Sequence, residues 1–194
     1  KRAEQWLSQK DVEVPFPENV KFKTDGLSEY SQKILVCPHF NQRSTYLDLL
    51  FLAYKYDVTR VANVYSEWNW LGHHTDSHQV KTEEGFVKNI EADQGYMMQT
   101  ARFLDKLKST KTKVGGTLLD QTVCLITSSL SINKEEGPHG MKNNPVVVAG
   151  GGFEHGKHIN FNGSDNRNNV YLAALQHLGL EIESFATSSE SAKL

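Results

Sequence analysis

The sequence predicts an α/β domain with a mostly parallel sheet and helices on both faces. Three observations lead there. Two short apolar runs, Val123-Cys124-Leu125-Ile126 and Pro145-Val146-Val147-Val148-Ala149, lack the in–out alternation of a half-solvated sheet. Strands of that kind are expected to be covered on both faces. A third strand-like run, 59–65, is rich in β-branched residues, and helical stretches separate it from the other two, the order of a parallel sheet.

Taken in order, residues 1–10 read as the end of a helix already under way. Ala3, Trp6 and Leu7 share a face and no capping residue precedes them. Residues 12–25, with Pro15 and Pro17, read as a polar extended linker. The expectation is therefore a helix end and linker over 1–25. Residues 26–194 would belong to one α/β domain.

Leu47, Leu50, Phe51 and Tyr54 recur at helical spacing within 44–56, with Ser44 or Thr45 as N-cap and Asp57 at the end. A long helix is expected over 83–109, where Phe86, Ile90, Met97, Ala101, Leu104 and Leu107 fall near one face and Gly95 weakens the middle. Gly115-Gly116 marks a turn before a buried strand at 122–128. Gly150-Gly151-Gly152 breaks the strand that follows at 145–149. Residues 168–178 form a closing helix with Gly179 just past its end.

Composition narrows the function. At 194 residues with a net charge of −2, the chain has no electrostatic footprint for nucleic acid or an anionic membrane surface. No eighteen-residue apolar run is present, so no segment of the sequence reads as a membrane span. Cys37 and Cys124 are too few for a disulfide framework. No GxSxG elbow or phosphate-binding Gly-Lys-Ser/Thr pattern follows any strand.

The segment Gly72-His73-His74-Thr75-Asp76-Ser77-His78-Gln79 places three histidines within six residues. Neutral imidazole is the commonest protein metal ligand. On a helical turn His74 and His78 would face the same way and could grip one cation, with Asp76 and Ser77 orienting them or meeting substrate. The competing reading, a polar loop with solvated imidazoles, stands beside it. His139 lies in a second loop, after the 122–128 strand, and sites in open α/β sheets gather beyond strand ends. That position makes it a third candidate ligand. His155 and His158 read as a surface turn, and His39 and His177 as structural. Ser128, Ser129 and Ser131 read as strand-end hydroxyls, and Trp68 and Trp70 as core or pocket wall.

His74-Thr75-Asp76-Ser77-His78-Gln79 resembles the signature of the HxxSHH family of exported bacterial proteins. Beyond that motif, Asp57-Val58-Thr59-Arg60-Val61-Ala62, Phe103-Leu104-Asp105-Lys106-Leu107-Lys108, Gly116-Thr117-Leu118-Leu119-Asp120 and Asn144-Pro145-Val146-Val147-Val148-Ala149-Gly150-Gly151 look like further segments of that family. The match spans nearly the whole chain and corresponds to the C-terminal half of that family. The family in turn resembles the alkaline phosphatase and sulfatase superfamily, a doubly wound α/β fold with loop-borne metal ligands. This resemblance implies an exported protein with a divalent metal, zinc first among candidates, held by His74, His78 and His139. It implies hydrolase-like chemistry on small or polymeric phosphate or sulfate esters, and partnership with an upstream N-terminal half of the same precursor. The chain departs from the pattern at Gln79, Ile132, Met141 and Lys142, each where a ligand-type residue is expected. Those departures point to the rival expectation, a non-catalytic binding or cell-surface scaffold with a degenerate site.

Overall fold

The structure is a computed structural model that describes residues 22–65, 73–140, 142–161 and 166–194. The helix end expected over 1–10 and Trp68, Trp70 and Met141 lie outside these residues, as does most of the linker. Five helices are described: α1 (Glu29–Val36), α2 (Pro38–Lys55), α3 (His73–His78), α4 (Glu83–Ser109) and α5 (Arg167–His177). Four short strands join them: β1 (Val123–Thr127), β2 (Ser131–Asn133), β3 (Gly137–Gly140) and β4 (Val146–Gly150).

The expected parallel, doubly wound sheet is not what forms. The strands make two separate two-stranded antiparallel pairs, β1 with β4 and β2 with β3. The apolar runs do form strands, in the register Val123↔Gly150 to Thr127↔Val146. Helix side chains meet both faces, but the strands are half-buried, not fully covered, and Val147 is 39% exposed. Cys124 packs with the α2 and α4 side chains, while Leu125, Val146 and Val148 pack under α5. Contact on both faces fixes no strand direction, and here the connection from β1 to β4 is a second hairpin, not a crossover helix. The third expected strand also fails: 59–65 bends at Arg60 and has no ladder partner among the described residues, and Val61 and Tyr65 are 86% and 76% exposed.

Helix α4 takes its expected extent but not its expected face. Ile90, Met97 and Ala101 are exposed, while Ala92, Gly95, Gln99 and Phe103 are buried. The Thr82 hydroxyl accepts from the Gly85 amide as N-cap, Glu83 and Glu84 sit in the first turn, and Lys106 and Lys108 sit in the last. Gly95 is tolerated because α1 and α2 press against it: a Cβ there would stand 3.0 Å from Ile34 and 3.4 Å from Phe40. Helix α2 begins earlier than the spacing suggested, because Pro38 supplies a preset first turn. One core cluster joins Ile34, Leu35, Cys37, Phe40 and Ala92, and a second joins Leu47, Phe103 and Leu107 to β1.

Polar side chains fix the register of α2 against α4. The Gln99 amide donates to the Phe40 carbonyl (2.6 Å) and Ser44 hydroxyl (3.0 Å), and its oxygen accepts from Arg43 at 2.6 Å. Further along, the Asp48 carboxylate takes two bonds from Arg102 (2.7 and 2.6 Å) and one from Lys106 (2.6 Å). Burial alone would raise the Asp48 pKa, but these hydrogen bonds and positive charges outweigh it and hold it below the ordinary value. A depressed carboxyl stabilises the fold above its unfolded pKa and loses that contribution as pH falls through its folded value. Asp48→Asn is expected to cost about 1–3 kcal/mol at pH 7. The urea midpoints of variant and parent should converge as the pH drops below about 4.

Beside β1 the helices part around a cleft of about 980 Å³. Asp93 of α4 lines it. The residue is exposed, yet protein atoms crowd its carboxyl and push the pKa up to about 6. A carboxyl raised in the folded state stabilises below its unfolded pKa and forfeits that as pH rises through 6. Asp93→Asn should therefore raise stability at pH 7, by about 1 kcal/mol or less given solvent screening, and leave it unchanged near pH 3, as read by thermal midpoints.

Candidate metal centre

The histidine segment folds as a helix of little more than one turn, His73–His78. Residues four apart on a helix lie only about 40° apart around the axis, so His74 and His78 share a face. Their ring centroids are 4.9 Å apart. His139 comes from β3, in the hairpin between β1 and β4, and its ring lies 5.0 Å from His78 and 6.4 Å from His74. Three imidazoles from two chain segments thus gather at an exposed point, with His78 nearest both others. The reason differs from the one the sequence suggested. Among the described residues no strand precedes the α3 turn, and His139 sits within a strand instead of beyond its end.

Packing beneath the cluster holds it. Ser77 is 3% exposed and donates to the His74 carbonyl at 2.6 Å, so its hydroxyl ties the turn and is turned away from any substrate. Asp76, two residues from His74, is about 200° around the helix and faces away from the imidazoles. Its carboxylate accepts from the Tyr30 hydroxyl at 2.8 Å, which anchors α3 to α1. Burial first, then that bond and the Asp76 charge, hold the Tyr30 phenol above its usual pKa. The Asn89 amide, buried in α4, donates to the Asp76 carbonyl at 3.0 Å and the Gly85 carbonyl at 2.6 Å. Val80, fully buried, plugs the turn after α3.

Gly85 is needed there. A Cβ on it would lie 2.2 Å from the Gln79 carbonyl oxygen, so the chain leaving α3 rests directly on the first turn of α4. On the other side, Lys134 at the β2–β3 turn bonds Glu83 at 2.8 Å and lies 4.5 Å from the Phe86 ring centroid. The same first turn of α4 therefore carries both the α3 segment and the His139 hairpin. Tyr30, Asn89 and Lys134 were not singled out in the sequence. Tyr30 and Lys134 act across 46 and 51 positions, and Asn89 reaches 13 positions back to the Asp76 carbonyl.

Three neutral imidazoles are a fitting donor set for zinc, with a fourth position left open. Around a tetrahedral zinc, ring centroids stand about 5 Å apart, given metal–nitrogen distances near 2.0–2.1 Å. Two edges of the triangle already match, and the His74–His139 edge is longer by about 1 Å. As the side chains stand, no group of three His, Cys, Asp or Glu among the described residues has full metal-holding geometry. A side-chain rotation at the exposed His74 or His139 would close the gap.

The other candidates separate cleanly. His177 bonds the Gly151 carbonyl at 2.6 Å and stacks on Phe153 at 3.9 Å, a structural use. His155 and His158 are exposed in an irregular stretch. Gly150, Gly151 and Gly152 all take positive φ, and a Cβ on Gly150 would stand 2.2 Å from the Thr122 carbonyl oxygen. That run is a tight strand exit. No family model, curated protein or solved structure matches this chain.

Proposed function

We propose that His74, His78 and His139 hold one divalent cation, zinc first, in an exported protein of hydrolase-like chemistry on phosphate or sulfate esters. The observation that carries this reading is the convergence of three imidazole rings, 4.9, 5.0 and 6.4 Å apart, from two segments far apart in sequence. The resemblance to the HxxSHH family supports the substrate class, the export and the need for an upstream portion of the same precursor. When bound, such an ion supplies Lewis acidity to an ester oxygen. The chain's own part is to present the three nitrogens from two supports and to fix them. Asp76, tied to Tyr30, and Ser77, tied to His74, set the helix phase of two of the rings.

A second reading is the non-catalytic scaffold with a degenerate site. The long His74–His139 edge and the exposed Gln79 at the last signature position favour it. Zinc titration with a competing chelator, followed by assay on chromogenic phosphate and sulfate esters, tests both. Tight zinc with turnover abolished by chelation supports the hydrolase. Tight zinc without turnover supports the scaffold. Zinc no tighter than in a protein lacking all three histidines ends both.

A further inference from the structure

The 980 Å³ cleft has an unusual wall. Ten consecutive residues, from Val123 through Ile132, line it, whereas β4 contributes only Val147. Successive residues of a strand point to opposite faces. A cavity touched by all of β1 in sequence therefore runs along the strand's edge, not over one of its faces. β1 pairs only with β4, so its other edge has no partner among the described residues. Across the cleft stand Ala62, Asn63, Val64 and Tyr65, which have no ladder partner among the described residues.

The remaining walls belong to the two helical layers, Leu50, Tyr54 and Phe103 on one side and Arg167 and Tyr171 on the other. The void is thus a gap in the middle layer of the molecule. A five-residue strand, about 17 Å long, 4.8 Å wide and 10 Å between covering layers, fills roughly 800 Å³. The gap has that size.

We infer that this slot receives an extended, apolar peptide segment carrying an acidic residue, supplied by a polypeptide other than a copy of this chain, which pairs with the β1 edge away from β4. Backbone pairing follows from that edge, and apolar side chains follow from cover on both faces. The acidic residue follows from the arginines. Arg60 and Arg102 each have a carboxylate partner, but the two that line the slot do not. Arg43 bonds only Gln99, Thr100 and the Tyr96 carbonyl, its Nε is buried without an acceptor, and burial lowers its pKa. Arg167 bonds the Ser128 carbonyl and lies over Tyr171. A second copy is a poor occupant, because each described strand lies in a two-stranded hairpin, which is broader than a slot one strand wide.

The test uses an acetylated, amidated peptide, Glu-Val-Ile-Val-Leu-Thr-Glu, bearing a fluorophore, with the whole chain. Anisotropy should report saturable binding. N-methylation of alternate amides should weaken binding at least tenfold in one phase and less than twofold in the other, because only one edge of the peptide faces β1. Replacing both glutamates by lysine should weaken it at least tenfold. Occupation should also slow alkylation of Cys124, whose thiol lines the slot. No saturable binding overturns the inference. Equal affinity for both N-methylated phases overturns it too, since the cleft would then be a general apolar pocket. Sedimentation showing a dimer that the peptide dissociates would make a second copy the occupant and likewise overturn it.

Discussion

His78→Ala is expected to weaken zinc binding by more than about 100-fold, beyond the 10–100-fold typical of losing a supporting residue around a metal. The triangle explains why. His78 lies 4.9 and 5.0 Å from its neighbours, whereas His74 and His139 are 6.4 Å apart and share no close edge without it. Removing the central ring leaves two donors 6.4 Å apart, wider than the spacing of about 5 Å that one zinc brings. His74→Ala should cost less, because the His78–His139 pair survives. His155→Ala, in an exposed stretch outside the cluster, should leave affinity unchanged. Chelator competition read at equilibrium distinguishes these outcomes. An His78→Ala protein that binds zinc as tightly as the parent would refute the site.

Gly85→Ala should destabilise the fold by about 1–3 kcal/mol, although helix propensity alone argues the opposite sign. Alanine is favoured over glycine inside a helix by up to about 1 kcal/mol. The added methyl, however, would stand 2.2 Å from the Gln79 carbonyl oxygen and 2.5 Å from its carbon. Those are backbone atoms, so no rotamer change relieves the clash, and overpacking of this kind costs about 1–3 kcal/mol. Sterics win. The displaced chain is the one that carries α3, so zinc affinity should fall together with the urea midpoint. Thr82→Ala provides the control. It removes the cap of the same turn, costs about 1 kcal/mol, and should leave affinity much less affected.

The extent of α4 was legible in the sequence, because a 27-residue helix repeats its signal many times. Its buried face was not: Ile90, Met97 and Ala101 are exposed, and Asn89, Gln99 and Thr100 are buried. The two apolar runs were legible as strands for a local reason too. Their direction was not, since contact with α2 and α4 below and α5 above arises for parallel and antiparallel pairs alike. Helix α1 was missed because eight residues ahead of Pro38 give a short, weakly patterned signal, although Ser28 does cap it through the Ser31 amide. At the candidate site the three histidines could be named from residue type. What supports them could not: the Tyr30–Asp76 bond spans 46 positions and the Lys134–Glu83 pair 51, and such partners leave no mark in a single sequence.

The β2–β3 hairpin carries His139 as an insert between the two strands of the main pair, tethered to α4 by the Lys134 ammonium. A cation shared by His78 and His139 would act as a clasp, cinching a loop of roughly sixty residues that the unfolded chain must otherwise close unaided. Melting temperature would then climb with zinc concentration by mass action, so that calorimetry alone could weigh the ion.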